Sequence, residues 1–204
     1  MKTKFRGLYG ITSRAFGMSH LDSARAFLDG GFRIVQYREK EAPADLQIKE
    51  AGSIRDLCAE YGADFVVNDR VDVAVAIDAR IVHVGQEDMR IDDVRCVFRG
   101  DVGVSASSVE EAVLAEKKGA AYLGVGTIFR TSTKTDGSVI GVYALSEIRK
   151  HTVIPIIAIG GITADTLQRI KSAGADGVAV ISAVLAAEDP VAAARELVRR
   201  WEEY

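Results

Sequence analysis

Cysteine, proline and long apolar runs are scarce in this chain, and each shortage removes a class of explanation. Among 204 residues there are two cysteines, Cys58 and Cys96. They fall on segments that read as helices and follow no CxxC spacing, so free thiols are expected rather than a disulfide or a metal pair. With three prolines and no stretch rich in Pro, Gly or Ser, nothing reads as a linker, and residues 1–204 are expected to form a single domain. No apolar run approaches the ~18 residues needed to span a bilayer. The opening MKTKFRGLYGITSR has none of the apolar core that a signal peptide carries. A cytoplasmic protein with no membrane partner is the expectation.

Basic excess is missing too. The net charge is −3, which argues against a nucleic-acid partner held by bulk electrostatics, so any anion site has to be local. No GxSxG, HExxH or Walker A pattern occurs, which leaves a hydrolase triad, a zinc protease and a P-loop enzyme without sequence support. The histidines are His20, His83 and His151. His83 lies in a strand-like run and reads as a core or mouth-lining residue, and the other two flank helices; none is given a chemical role.

What the chain does have is alternation. Short runs rich in Val and Ile occur at 8–12, 33–38, 64–68, 80–84, 101–105, 122–126, 154–159 and 177–181, with helical patterns between them. Several of these runs are almost continuously apolar, as strands buried on both faces should be. Segments such as SSVEEAVLAEKKGA and TADTLQRIKSAGA begin with a capping hydroxyl and early acids and end in Gly, which marks helix starts and stops. Eight strand–helix pairs in this length predict an α/β fold, a (β/α)8 TIM barrel. A doubly wound open sheet could hold the same count. The strand ends separate the two, because a barrel gathers its chemistry where strands stop and the following loops begin.

The second run ends in QYREK, where the two-residue strand period sends Gln36, Arg38 and Lys40 to one side and Tyr37 and Glu39 to the other. The third ends at Asn68-Asp69, and the loop after the fourth holds GQEDM with Asp88. Neighbouring strands lie ~4.8 Å apart, so Asp69 and Asp88 can converge and hold Mg2+ while a bound phosphate completes the oxygen shell. A plain Asn-Asp surface turn is the alternative. Arg70 and Asp72 read as solvated loop and helix-start residues. The long loop after the sixth strand places Thr131, Ser132, Thr133 and Lys134 together, a set suited to phosphate oxygens on a lid-like segment. After strands seven and eight, Gly160, Gly161, Ile181 and Ser182 stand where many such barrels bind phosphate.

In order along the chain, QYREK, VVNDRVDVAVA, HVGQEDM, VGVSA, TSTK, AIGGIT and AGADGVAVISA together resemble the thiamine-phosphate synthase family over roughly residues 7–190. The resemblance implies a transferase of thiamine biosynthesis on a TIM barrel. It joins hydroxymethylpyrimidine diphosphate to a thiazole phosphate, or to its carboxylated form, and releases diphosphate with Mg2+ as cofactor. It implies that Gln36, Tyr37, Arg38, Glu39 and Lys40, with Asn68, Ser105 and Lys134, hold the pyrimidine diphosphate, and that Asp69 and Asp88 hold the metal. Thr131, Ser132, Thr133, Gly161, Ile181 and Ser182 would hold the thiazole phosphate. Arg38, Lys40, Ser105 and Lys134 would be the catalytic groups. The partners are small molecules, and the sequence leaves a homo-oligomer open.

Two stretches depart from the family pattern. The loop after the fifth strand reads SASSVEEA, with Ser107 where the family usually has His, and GTIFRTSTK carries Thr127 and Arg130 where prolines are usual. The first departure removes the group for proton transfer in that loop, and the second implies a looser lid. A related thiazole tautomerase on the same barrel is the nearest rival reading. A phosphate-ligand sensor without catalysis is the other.

Overall fold

A computed structural model of the protein describes residues 5–131 and 138–204. Eight parallel strands follow one another around a closed barrel: β1 (Gly7–Ile11), β2 (Ile34–Tyr37), β3 (Asp64–Asn68), β4 (Ile81–Val84), β5 (Asp101–Ala106), β6 (Tyr122–Gly126), β7 (Ile156–Ile159) and β8 (Gly177–Val180). The helices between and after them are α1 (His20–Asp29), α2 (Ala44–Glu60), α3 (Val71–Ala76), α4 (Ile91–Val97), α5 (Val109–Lys117), α6 (Gly141–His151), α7 (Leu167–Ser172), α8 (Ser182–Leu185) and α9 (Pro190–Glu203). The pairing of β1 with β8 closes the ring and excludes the open sheet. Ser132, Thr133 and Lys134, read from the sequence as part of a lid-like segment, lie outside the described residues.

The helix boundaries have local causes. Ser19 caps α1 by accepting from the Asp22 amide, and Ser108 caps α5 by accepting from Glu111. Asp189 does the same for α9, with Pro190 in the first turn where its missing N–H costs nothing. Cys58 is buried on α2 and Cys96 exposed on α4, both as free thiols. No helix among the described residues is long and apolar enough to cross a membrane.

Strand alternation sorts the apolar residues into two layers. One face of each strand packs outward under the helices, where Val35, Val67, Val82, Val104, Leu123, Ala158 and Val178 meet residues such as Phe27, Ile54 and Leu145. The other face fills the barrel with Tyr9, Ile11, Ile34, Val66, Ile81, Tyr122, Ile157 and Ala179, over Phe5, which stacks on Tyr122 with ring centroids 4.3 Å apart. That plug closes one end of the barrel. The open end is the one at which the strands finish.

Glycine makes room in this interior. A Cβ on Gly103 would run into the Tyr122 ring and come within 2.6 Å of His83 Nδ1. Gly103→Ala is therefore expected to lower stability by about 1–3 kcal/mol, the range for overpacked cores. Urea denaturation of variant and parent checks this, and an unchanged midpoint would mean that the two rings shift freely.

Candidate active site

A cavity of about 550 Å3 opens at the carboxyl ends of the strands. It is lined by Gln36, Arg38, Lys40, Asn68, Asp88, Ser105, Thr131, Gly160, Gly161, Ile181 and Ser182, residues from every quarter of the sequence. A shallower groove between α6 and α7, lined by Tyr143, Gln168 and Arg169, lies on the outer surface and away from the strand ends.

The β3–β4 edge brings the two aspartates together. Asn68 pairs with His83 at the last rung, and the Asp69 amide then donates to the His83 carbonyl at 2.8 Å. Asp69 adopts a left-handed backbone with φ 58°, a conformation Asp tolerates better than most residues; it does not itself line the cavity, but it meets Lys40, which does. Asp88 is pinned from the β4 side, its Oδ2 accepting from the Gly85 amide at 2.7 Å. The two carboxyl groups are close enough to influence each other's protonation, and Lys40 Nζ lies 3.3 Å from Asp69 Oδ2. Burial pushes the Asp69 carboxyl up, the neighbouring Asp88 carboxyl adds to this, and Lys40 opposes it.

The donor set fits a hard divalent ion in one particular way. Among the described residues no group of three or more His, Cys, Asp or Glu side chains converges into a cage. Mg2+ commonly binds through one or two carboxylates and takes its remaining oxygens from water and a ligand phosphate. Asp69 and Asp88 match that pattern. Arg70 instead pairs with Asp72 through two hydrogen bonds of 2.8 and 2.5 Å on the surface.

Beside this acidic pair stands Arg38. Among the described residues no hydrogen bond or ion pair engages its guanidinium, which lines the cavity with Lys40. Tyr37 and Glu39, expected among the substrate contacts as part of the same segment, do not line the cavity. The strand period turns them outward: Tyr37 donates to Glu50 at 2.9 Å and Glu39 meets His20 at 3.1 Å, both behind β2.

A hydrogen-bonded chain crosses the cavity floor. Gln36 Nε2 donates to the Tyr9 hydroxyl at 2.9 Å, and the Tyr9 and Tyr122 hydroxyls are 3.0 Å apart. His83 Nδ1 is 3.0 Å from the Tyr122 hydroxyl, and its Nε2 is 3.0 Å from Ser105 Oγ. Burial raises both tyrosines well above the ordinary phenol value, so they stay protonated. Every hydroxyl is used when the chain runs from Gln36 to Ser105, which then leaves the Ser105 proton for the cavity. The sequence reading missed Tyr9 and Tyr122 and gave His83 no role. One signal was legible, since the two-residue period puts His83 on the same face as the inward Ile81.

Opposite lies the glycine corner. Gly160 and Gly161 have φ of 102° and 62°, and a Cβ on Gly161 would come within 2.6 Å of the Arg130 carbonyl and 2.7 Å of the Phe129 carbonyl. Glycine is thus required for the β6 and β7 loops to meet. Ile181 and Ser182 stand beside them at the start of α8. In the loop after β5, Ser107 donates to Glu111 Oε2 from both its amide (2.7 Å) and its hydroxyl (2.9 Å).

The family model described as thiamine monophosphate synthase matches residues 8–184. The thiamine-phosphate synthase of Caldivirga maquilingensis is 47% identical over 200 residues, covering 97% of this chain and 98% of that protein. That of Chloroflexus aurantiacus is 48% identical over 194 residues, covering 93% of this chain and 90% of that protein. Among solved structures, the thiamine phosphate pyrophosphorylase from Pyrococcus furiosus superposes with a TM-score of 0.91 at 43% identity, covering 97% of this chain and 96% of that one. With the barrel, the cavity and these likenesses in agreement, the chain belongs to the thiamine monophosphate synthase family.

Proposed function

We propose that the chain is a thiamine-phosphate synthase, coupling a pyrimidine that carries a methylene diphosphate to a thiazole phosphate, or to its carboxylated form, with release of diphosphate. The observation that supports this reading is that one cavity is lined by residues from two groups of strand ends, which the reading assigns to two anions. Arg38 and Lys40 stand with the Asp69–Asp88 pair on one side, and Gly160, Gly161 and Ser182 stand on the other.

In the proposed reaction the methylene carbon–oxygen bond breaks, its electron pair leaves with the diphosphate, and the electron-rich pyrimidine carries the resulting cation. The thiazole nitrogen supplies the pair for the new carbon–nitrogen bond, so no protein nucleophile is needed. The chain's part is orientation and charge. Arg38, Lys40 and, from its place in the sequence, Lys134 face the diphosphate oxygens, where positive charge stabilises the transition state more than the ground state. Asp69 and Asp88 would hold Mg2+, which when bound neutralises charge on the leaving group. Gln36 and Ser105, the two ends of the hydrogen-bonded floor, orient the pyrimidine together with Asn68, and Thr131, Ser132, Thr133, Gly161, Ile181 and Ser182 take the thiazole phosphate. Holding two reactants in line converts an encounter into a first-order step.

The test is incubation with both substrates and Mg2+, followed by identification of the product. Thiamine phosphate is expected. Conversion of the thiazole alone, or binding without turnover, would instead favour an isomerase or a sensor.

The two sides should also separate in a variant. Ser182→Asp is expected to raise the KM for thiazole phosphate by about tenfold or more, because a carboxylate a few ångströms from a phosphate repels it in a partly dry pocket. The KM for the pyrimidine diphosphate should change far less. An equal rise in both constants would remove the basis for two sides.

A further inference from the structure

β2 ends at Tyr37, so Arg38 and Lys40, the two cations on the proposed diphosphate side, lie beyond the last rung of the sheet. Something other than strand pairing must hold that segment. Behind it sits a polar cluster that the proposed reaction does not use. The Arg38 amide donates to Thr12 Oγ1 at 3.4 Å, and Thr12 Oγ1 is 2.8 Å from His20 Nδ1. His20 Nε2 is 3.1 Å from Glu39 Oε2, and the same carboxylate accepts from Arg14 Nε at 3.2 Å. Its other oxygen accepts from the Glu41 amide at 2.8 Å and the Ala42 amide at 3.4 Å. His20 and Thr12 are only 2% and 1% exposed, and the His20 ring meets Tyr37 edge-on at 4.9 Å.

The protonation states give this cluster a direction. Burial works against the Glu39 carboxylate, but the Glu41 amide, His20 and the Ala42 amide outweigh it and hold its pKa at about 2. Burial lowers the His20 imidazole from its ordinary value against the pull of Glu39. A neutral His20 beside an ionised Glu39 must donate from Nε2, which leaves Nδ1 to accept from the Thr12 hydroxyl. Thr12 in turn accepts from the Arg38 amide. The backbone of Arg38 is thereby tied, through two side chains of the β1–α1 segment, to the side chain of the next residue. Such a closed loop fixes the turn between Arg38 and Lys40 with few remaining degrees of freedom.

We propose that Thr12, His20 and Glu39 are positioning residues, which lock the end of β2 so that Arg38 and Lys40 both face the diphosphate. None of the three lines the cavity. The proposal rests on the reading of Arg38 and Lys40 as diphosphate ligands, and its test uses a readout independent of turnover.

Thr12→Val keeps the shape of the side chain and removes its hydroxyl; Thr12→Ser restores the hydroxyl. For each, the KM of both substrates would be measured in the full chain, together with the Kd for inorganic diphosphate in the presence of Mg2+ by calorimetry. Thr12→Val is expected to raise the pyrimidine diphosphate KM and the diphosphate Kd by about tenfold. The thiazole phosphate KM should stay within about twofold, and Thr12→Ser should return all three toward the parent. If Thr12→Val does not fold, Glu39→Gln, which keeps an acceptor and removes the charge, decides by the same constants. A folded variant whose diphosphate Kd matches the parent overturns the proposal, as does an equal loss for both substrates. Failure of the parent to make thiamine phosphate, with the diphosphate Kd still shifted in the variants, would sink the proposed reaction and leave the positioning role standing.

Discussion

Asp69→Ala and Asp88→Ala should each reduce Mg2+-dependent turnover by about a thousandfold or more, the consequence of losing several kcal/mol of charge stabilisation on the leaving group. The fold should survive. Asp69 lies beyond the end of β3 and Asp88 in the loop after β4, so neither supports the barrel core. Asp69 needs a second substitution, because alanine at φ 58° carries a backbone cost that Asp largely avoids. Asn tolerates that conformation, keeps the size and drops the charge, and for Asp88 it also preserves an acceptor for the Gly85 amide. Asp69→Asn and Asp88→Asn are therefore expected to match the alanine variants in lost turnover while melting close to the parent. Initial rates at varied Mg2+, with circular dichroism to establish folding, check this. A folded variant that kept turnover within about tenfold of the parent would remove that residue from the metal site.

Arg38→Met carries the second large effect. Met keeps most of the stem and deletes the planar fork that can meet two phosphate oxygens together. Because Arg38 has no competing partner among the described residues, little native structure depends on its charge. Charge on the diphosphate grows as the carbon–oxygen bond breaks, so the guanidinium should matter more in the transition state than in the bound substrate. Losses of about a hundredfold to a thousandfold are expected in kcat and in kcat/KM alike. Rates with each substrate varied in turn distinguish this from simple binding, and a burst measurement shows whether product release limits the parent. A rise in KM with unchanged kcat would make Arg38 a ground-state anchor.

Most of the barrel was legible because its strands are buried on both faces and so read as bare Val and Ile runs. The mismatches at strand ends have particular causes. The seventh run was read from 154, yet β7 starts at Ile156: Pro155 has no N–H for the ladder, although its carbonyl still accepts from Leu123 at 2.9 Å. The second was read to 38, but the Arg38 amide turns to the Thr12 side chain instead of a neighbouring strand. The cavity cations and the two aspartates were legible from their position at strand ends. The floor was not. Tyr9 and Tyr122 are 113 residues apart, and only closure of the ring brings them together. The role of His20 was hidden for the same reason, since its partners Thr12 and Glu39 come from two different strand ends. Tyr37 and Glu39 belong to the right segment but face its other side, as the two-residue period itself required.

The central claim is that one cavity couples the two substrates through a metal-assisted loss of diphosphate. Its most direct test follows diphosphate release and thiamine phosphate formation in the same reaction while Mg2+ is titrated from a chelated start. The account predicts that both products appear together in equal amounts, that neither forms in the chelated enzyme, and that Mg2+ restores both along one curve. Diphosphate release without thiamine phosphate, or equal rates of coupling with and without Mg2+, would contradict it.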